Sequence, residues 1–190
     1  MPASIGLDVV PPLHEPWDPD DSVDFHAARL LVLLRQCGSG KKPGIDGRTK
    51  LAKLDFLLRY PTFLERALGH LRDTGTGAME WTAVGAEIEA PMIRYRYGPW
   101  DPRYRQFLAF LLSRRLITIT TAKPERVQLT ASGRRAADYL SARPSFEPLV
   151  DRCAAMTPGL STMTGTELKD LVYELFPIEV GDLPYWTAIG

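Results

Sequence analysis

Cysteine and histidine are scarce in this chain, which holds two cysteines and three histidines among 190 residues. Cys37 and Cys153 have neither a CxxC pattern nor metal-ligand spacing, so we expect buried thiols in a reducing compartment rather than a disulfide. His14, His26 and His70 are isolated, with no Cys or carboxylate at ligand spacing. The sequence therefore predicts no metal, no cofactor and no acid–base catalysis.

Long hydrophobic runs are also missing. No apolar run reaches the roughly 18 residues that a membrane span requires. The first 24 residues contain no Lys or Arg, unlike the start of a signal peptide. Hydrophobic residues nonetheless make up 45% of the chain, which is ample for a buried core at this length. We therefore expect a soluble, cytoplasmic protein that forms one domain, with or without a helical appendage.

The net charge is zero, but the charges are unevenly distributed along the chain. Residues 1–24 contain six acids and no Lys or Arg, and residues 94–135 contain ten bases and two acids. Residues 145–190 contain seven acids and two bases. A basic middle between acidic ends is suited to a polyanion at its centre and to protein partners at its edges.

The N-terminal part divides into an arm and a helical region. Residues 1–21 are acidic and rich in Pro without a sustained period, which predicts an extended arm. Ser22 can cap a helix over residues 23–36 that is apolar nearly all round and therefore central and buried. Two further helices are predicted, one over about residues 48–60 and a short one over residues 63–71.

The stretch from residue 93 to residue 140 is the most informative part of the chain, because its period changes repeatedly. Residues 93–97 alternate between apolar side chains and Arg, as in a half-exposed strand. Asp101 can then cap a helix that ends near Arg115. The buried stripe of this helix is predicted at Tyr104, Phe107, Leu108, Leu111 and Leu112.

A hairpin and a closing helix follow that helix. Residues 116–121 and 126–129 are strand-like around a turn, and Thr130 can cap the helix after them. Helix, hairpin and helix predict a winged helix-turn-helix domain over residues 22–142. The predicted fold class is mainly α with a small β wing, followed by a C-terminal helical extension and tail over residues 143–190.

The C-terminal extension is predicted to hold two helices, near residues 146–156 and 166–176, with Thr164 or Thr166 as the cap of the second. In the tail, Tyr185 and Trp186 carry apolar surface that is costly to leave in water. We therefore expect the tail to dock, either onto the chain itself or onto a partner.

Two groups of residues invite a catalytic interpretation. The segment Gly38-Ser39-Gly40-Lys41 lacks the GxxxxGK[ST] spacing of a phosphate loop and follows a helix rather than a strand. Asp20, Glu167 and Lys169 are residue types found in metal-dependent nucleases, but they lie at opposite ends of the chain. A loop and ordinary surface charges explain both groups, so the sequence predicts a protein that is not an enzyme and has no small-molecule substrate.

The helix before the wing has an uncharged outer face. A rotation of about 100° per residue places Gln106, Ala109, Phe110 and Ser113 away from the predicted core. A helix that reads DNA bases carries Arg, Lys, Asn or Gln there, whereas the core of a protein interface is depleted in charge and enriched in aromatics. The predicted partner-binding residues are Gln106, Phe110, Ser113, Tyr185 and Trp186.

The basic residues of the middle segment form a rim around that face. Such a rim can hold the phosphates of double-stranded DNA without reading its sequence, or it can be ordinary solvated surface. The candidate DNA-binding residues are Arg94, Arg96, Arg103, Arg105, Lys123, Arg126, Arg134 and Arg135.

Three segments together resemble a known family. They are TKLAKLDFLLRYP at 49–61, RYRYGPWD at 94–101, and Leu116-Ile117 with Leu129-Thr130 and Gly133. Over roughly residues 21–140 they resemble the small middle component of ABC-three-component, Lamassu-type anti-phage defence systems. The resemblance implies a winged-helix protein that sits with an SMC/Rad50-like ATPase and an effector, commonly a nuclease. It would help to sense foreign DNA or hold the effector in check.

Two functions from different classes are therefore open. The first is a non-catalytic adaptor that contacts the ATPase and the effector through its uncharged helix face, its acidic arm and its tail, while the basic rim touches DNA backbone. The second is a transcriptional regulator that dimerises through its long helices and reads an operator. The uncharged face over residues 106–113 favours the adaptor.

Overall fold

The computed structural model describes residues 22–76, 78–83, 92–96 and 98–189. The predicted arm over residues 1–21 lies outside this part. Within the described residues the chain is mainly helical with two small antiparallel sheets, in agreement with the predicted secondary-structure class. None of the helices described is long and apolar enough to cross a membrane.

Helices supply most of the described structure, and three of them start at a predicted cap. Ser22 Oγ accepts a hydrogen bond from the backbone N of Phe25 at 3.2 Å, and Thr130 and Thr164 cap two later helices in the same way. The cap predicted at Asp101 is wrong: the helix before the hairpin starts after Arg103, and Asp101 Oδ1 instead accepts a hydrogen bond from the backbone N of Arg103 at 2.9 Å. The predicted helices are confirmed to within a few residues. They are α1 (Val23–Cys37), α2 (Arg48–Arg59), α3 (Pro61–Asp73), α4 (Tyr104–Ser113), α5 (Ala131–Ser141), α6 (Glu147–Met156) and α7 (Gly165–Leu175).

The strands described form two three-stranded sheets. They are β1 (Gly44–Asp46), β2 (Met92–Tyr95), β3 (Gly98–Trp100), β4 (Ile117–Ile119), β5 (Arg126–Leu129) and β6 (Ala188–Ile189). The first sheet has the order β1-β5-β4 and contains the predicted hairpin of β4 and β5. The second has the order β3-β2-β6. Strands β1, β3 and β6 were not predicted, because each is only two or three residues long and none lies in a β-branched run such as the one that contains β4.

Strand β1 widens the hairpin into a sheet. Ile45 lies opposite Val127 in an antiparallel pair and is buried. A Cβ atom at position 44 would lie 2.7 Å from the carbonyl oxygen of Val127, so the close approach of the two strands requires Gly44. The loop after α1 thus returns along the hairpin and connects it to the start of α2.

The tail docks onto the chain itself, which is one of the two outcomes predicted for it. Tyr60 Oη accepts a hydrogen bond from the backbone N of Met92 at 2.7 Å and donates one to the carbonyl oxygen of Ile189 at 3.0 Å. This single hydroxyl joins β2 and β6 to the end of α2. Tyr185 and Trp186 nevertheless remain exposed at the surface.

The hydrophobic core is built around α1. Leu30, Leu33 and Leu34 are fully buried, and α1 packs against α4, α5 and α6. Helix α2 packs against α7 and α3, which buries it on nearly every side. Cys37 and Cys153 are free and buried in this core, as predicted. Since α6 and α7 share one core with the earlier helices, the C-terminal extension is packed as an integral part of the described structure.

A chain of buried charges links α1, α2 and the start of α4. Arg29 Nε and Nη2 donate to the two carboxylate oxygens of Asp55 at 2.8 and 3.2 Å, and Tyr104 Oη donates to Asp55 Oδ2 at 2.6 Å. Arg59 Nη1 donates to Asp101 Oδ2 at 2.9 Å, just before α4. Buried charges are costly unless they are paired and hydrogen-bonded, as these are. The network therefore fixes α4 in one position against α1 and α2.

The same network keeps its acids ionised. Burial by itself raises the pKa of Asp55, but the charges of Arg29 and Arg59 and the hydrogen bonds that it accepts lower the pKa overall. Burial also opposes ionisation of Asp101. Hydrogen bonds from Arg103 and the charge of Arg59 outweigh this effect of burial and lower the pKa of Asp101 to about 2. Burial and the Asp55 charge raise the pKa of Tyr104, so its hydroxyl stays a donor.

Candidate functional site

The outer face of α4 is exposed, and the helix carries a single charged residue, Arg105, which lies along the edge of this face. Gln106, Ala109 and Ser113 all face solvent, as predicted. Leu112 is 41% exposed, so the prediction that it belongs to the buried stripe is wrong. At about 100° per residue, Leu112 lies roughly 80° around the helix from Tyr104 and reaches the edge of the stripe rather than its centre. We call Gln106, Ala109, Leu112 and Ser113 the α4 outer face.

Phe110 lies at the opposite edge of the α4 outer face and is less exposed than expected. Its ring is partly buried against the hydrophobic core, and the guanidinium carbon of Arg114 lies 4.7 Å from the ring centroid. The backbone oxygen of Phe110 also accepts a hydrogen bond from Ser113 Oγ at 2.8 Å. Leu112 rather than Phe110 is therefore the main apolar group that this face offers to a partner.

The predicted basic rim is divided between structural and exposed residues. Arg94 Nε donates to the carbonyl oxygen of Val180 at 2.9 Å, so this side chain holds the tail. Arg103 pairs with Asp101, and Arg126 Nη1 donates to Asp46 Oδ1 at 2.6 Å between β5 and β1 of the first sheet. These three arginine side chains therefore form contacts that hold the fold together. The remaining predicted DNA-binding residues are more open to solvent: Arg96, Arg105, Lys123 and Arg135 are exposed and Arg134 is half-buried.

One cleft beside the second sheet brings together a predicted DNA-binding residue, Arg105, and a predicted partner-binding residue, Trp186. The cleft has a volume of about 330 Å³. Its walls are aromatic: the ring centroid of Tyr95 lies 5.1 Å from that of Trp186 and 6.3 Å from that of Trp100. Two arginines, Arg48 and Arg105, complete the lining. We call this feature the aromatic cleft.

The backbone positions the walls of the aromatic cleft. Trp100 ends β3 opposite Ile93 and packs edge-on against Tyr104, with a centroid distance of 4.8 Å. Trp186 has a φ of 71°, a left-handed conformation that costs a residue with a Cβ roughly 1–2 kcal/mol. The backbone N of Trp186 is held by the carbonyl oxygen of Arg94 at 2.9 Å. The indole is 66% exposed, so strain and exposure coincide at the position that closes the cleft.

Sequence reasoning found only part of this cleft. Arg105 and Trp186 were singled out for other reasons, whereas Arg48, Tyr95 and Trp100 were not proposed as site residues. The interleaving of Arg with aromatic side chains in residues 94–100 was the one local signal available. The meeting of this segment with α2 and the tail depends on long-range contacts that spacing along the chain does not show.

A buried lysine lies next to the aromatic cleft. Lys53 lines an adjoining pocket of about 200 Å³ that also includes Tyr95 and Trp100. Its Nζ donates to the carbonyl oxygen of Pro99 at 3.3 Å, and the residue is 1% exposed. Burial lowers the pKa of Lys53 to about 7. A lysine on the predicted helix of residues 48–60 gave no sequence signal that it would be buried.

A larger cleft, of about 920 Å³, lies near the segment Gly38-Ser39-Gly40-Lys41, with Gly38 and Ser39 in its lining. Lys50 Nζ donates there to the carbonyl oxygen of Ser161 at 2.7 Å, and Glu167 is bound in the capping box of α7. Lys169 pairs with the next residue, Asp170, at 2.9 Å. Asp20 lies outside the described residues. Among the residues that are described, no group of three or more His, Cys, Asp or Glu side chains is placed to hold a metal ion.

Comparison with known proteins identifies no relative of this chain. Neither a protein-family model, nor a curated protein, nor a solved structure matches the chain at a significant level. The α4 outer face and the aromatic cleft are therefore the two surfaces from which a function can be inferred.

Proposed function

We propose that this protein is a non-catalytic winged-helix subunit of an anti-phage defence complex. In this role it joins an SMC/Rad50-like ATPase to an effector, commonly a nuclease, and touches DNA through backbone phosphates. The observation that carries the proposal is the α4 outer face, an exposed surface with Arg105 as its single charged neighbour, on the helix directly before the wing hairpin. Charge depletion is typical of the core of a protein interface.

The order of elements supports a winged helix. Helix α1, strand β1, helices α2 and α4, and the hairpin of β4 and β5 follow one another as in that fold. The sheet order β1-β5-β4 places the short strand after the first helix beside the second strand of the hairpin. Helix α3 and strands β2 and β3 form an insertion between α2 and α4. In this scheme α4 occupies the place of the helix that enters the major groove in DNA-reading relatives of the fold.

The chemistry of α4 favours the adaptor over the transcriptional regulator. Base readout needs side chains that reach base edges with hydrogen-bonding groups. On the α4 outer face Gln106 and Ser113 carry such groups, with Arg105 at its edge, and the hydroxyl of Ser113 already donates within the helix. The exposed Leu112 instead gains by burial against an apolar partner surface. Exposed basic side chains such as those of Lys123 and Arg135 suit phosphate contacts that carry no sequence information.

We expect Leu112→Asp to abolish co-purification with the ATPase and the effector, because it places a charge in the middle of a desolvated apolar contact. The substitution should leave the isolated fold intact, since Leu112 is already 41% exposed. The measurement is affinity purification of the tagged chain from its host, followed by mass spectrometry of the bound proteins. Circular dichroism of the variant checks that it is folded.

Ile178→Asp is the matched control, because Ile178 is an exposed aliphatic residue on the short π-helical segment Pro177–Asp182 after α7 and does not belong to α4. We expect this control to retain the complex. Full assembly by Leu112→Asp would contradict docking through α4. Recovery of the wild-type chain with one defined DNA sequence and no ATPase would favour the regulator instead.

A further inference from the structure

We infer that the aromatic cleft binds unpaired bases of a single-stranded nucleic acid. The three rings of Tyr95, Trp100 and Trp186 supply stacking surfaces, and the exposed Arg105 of the lining supplies a contact for a phosphate. This inference goes beyond contact with duplex backbone and does not depend on the α4 outer face.

The first support is the exposure of the aromatic side chains. Large apolar groups are costly to leave in water, yet Trp186 is 66% exposed and Tyr95 and Tyr185 are exposed beside it. The backbone conformation of Trp186 is strained, and such strain is concentrated at binding and active sites. Single-stranded nucleic acid binders use exposed aromatic rings as platforms on which successive bases stack.

The second support is the charge of the lining. Arg48 and Arg105 belong to the cleft, and the lining contains no Asp or Glu among the residues described. Arg48 forms a two-point ion pair with Glu125, with distances of 2.7 and 3.0 Å, which neutralises its charge and leaves Arg105 as the lining residue available to a phosphate. Arg105 is exposed on the first turn of α4, and Arg96 is exposed directly after Tyr95. Positive charge next to stacking surfaces is complementary to a base with its phosphate.

The third support is the size and the entry of the cleft. A volume of about 330 Å³ lies within the range of small-ligand pockets, which is about 300–1,000 Å³. The buried side chains of Tyr104 and Leu108 contribute to the lining, so a base that stacks on the exposed rings also meets a preformed apolar surface. A paired base inside a duplex cannot enter such a cleft, because both of its faces are already stacked.

The test is fluorescence anisotropy with labelled 12-mers of oligo(dT), of oligo(U) and of duplex DNA, measured on the full chain. The wild type should bind the two single strands more tightly than the duplex, and Trp186→Ala should weaken single-strand binding about 10-fold. Trp186→Phe should restore most of the affinity, because Phe also offers a stacking face. Tighter binding of oligo(U) than of oligo(dT) would support the inference and assign the ligand as RNA.

The matched control is Tyr139→Ala, which removes a ring that is 61% exposed on α5 and packed under Arg143, outside the cleft lining. We expect this control to leave all three affinities unchanged. If Trp186→Ala misfolds by circular dichroism, Arg105→Glu provides the same test from the charged side of the cleft and should weaken single-strand binding. Equal binding of single strands and duplex, with no effect of these cleft variants, would overturn the inference. So would the absence of single-strand binding by the wild type.

The proposed function and this inference fail separately. Leu112→Asp should keep its single-strand affinity even if it loses its protein partners, because Leu112 does not line the aromatic cleft. Conversely, Tyr95→Ala, which removes a ring of the cleft that is not a predicted partner-binding residue, should still co-purify with the ATPase and the effector. Loss of both properties in either variant would instead indicate a change of fold.

Discussion

Asp55→Ala should lower the free energy of unfolding by about 3–5 kcal/mol, the largest loss that we expect from any single side chain. The carboxylate of Asp55 accepts hydrogen bonds from Arg29 and from Tyr104, and all three side chains are buried. Its removal leaves a buried guanidinium without its counter-ion and a buried phenol without its acceptor. Because both groups lie where α1, α2 and α4 meet, the loss should be felt by the whole fold.

Urea unfolding, followed by circular dichroism at pH 7, measures this loss. Asp138→Ala is the control, since Asp138 pairs with Arg35 at 2.6 Å on the surface, where its side chain is 54% exposed. Surface pairs contribute about 0–1 kcal/mol, so the control should change stability very little. Asp55→Asn should lie between the two, because it keeps a hydrogen-bond acceptor but not the charge. Equal effects of the buried and surface substitutions would show that the network does not hold α4 in place.

Lys53→Met should raise the free energy of unfolding at pH 7 by about 2–4 kcal/mol. Burial lowers the pKa of Lys53 from 10.5 to about 7 in the folded chain. Between these two values the unfolded chain binds a proton that the folded chain lacks, so the stability of the wild type rises with pH. Below pH 7 Lys53 is charged in both states, so the free-energy cost of burying its charge is fully present. Met has a similar length and no charge. The substitution removes the hydrogen bond from Lys53 to the carbonyl oxygen of Pro99, which offsets part of the gain in stability.

Urea unfolding of the wild type and Lys53→Met between pH 6 and pH 9 separates this residue from all other titrating groups. The advantage of the variant should be constant below pH 7 and should shrink by about 1.4 kcal/mol per pH unit above it. An advantage that does not change with pH would mean that Lys53 keeps an ordinary pKa in the folded chain. A loss of stability at every pH would mean that its ammonium group is favourably paired.

Local signals predicted the helices well. Ser22, Thr130 and Thr164 each precede a helix and each caps it, because a capping hydroxyl acts on residues only two or three positions away. The second strand of the hairpin, residues 126–129, has the bounds predicted for the segment that pairs back after the turn. These features depend on neighbours in the chain, and a sequence displays neighbours directly.

The features that were missed depend on contacts between distant segments. Strand β1 is three residues long and exists because Val127 lies beside Ile45. Arg29 was expected to lie on a helix that is apolar nearly all round, and its burial follows from Asp55 on another helix. The apolar pattern of α4 predicted that Leu112 belongs to the buried stripe. The buried stripe instead ends at Leu111, because α4 packs against α1 through a narrower surface than that pattern suggested.

Hydroxyl-radical footprinting of the native complex tests most directly whether α4 meets a protein partner. Side-chain oxidation is read by mass spectrometry in the isolated chain and in the purified assembly. The proposal predicts that Leu112 is oxidised in the isolated chain and protected in the assembly, while Ile178 stays reactive in both. Protection of Leu112 by duplex DNA alone, with full reactivity in the presence of the ATPase and the effector, would contradict it.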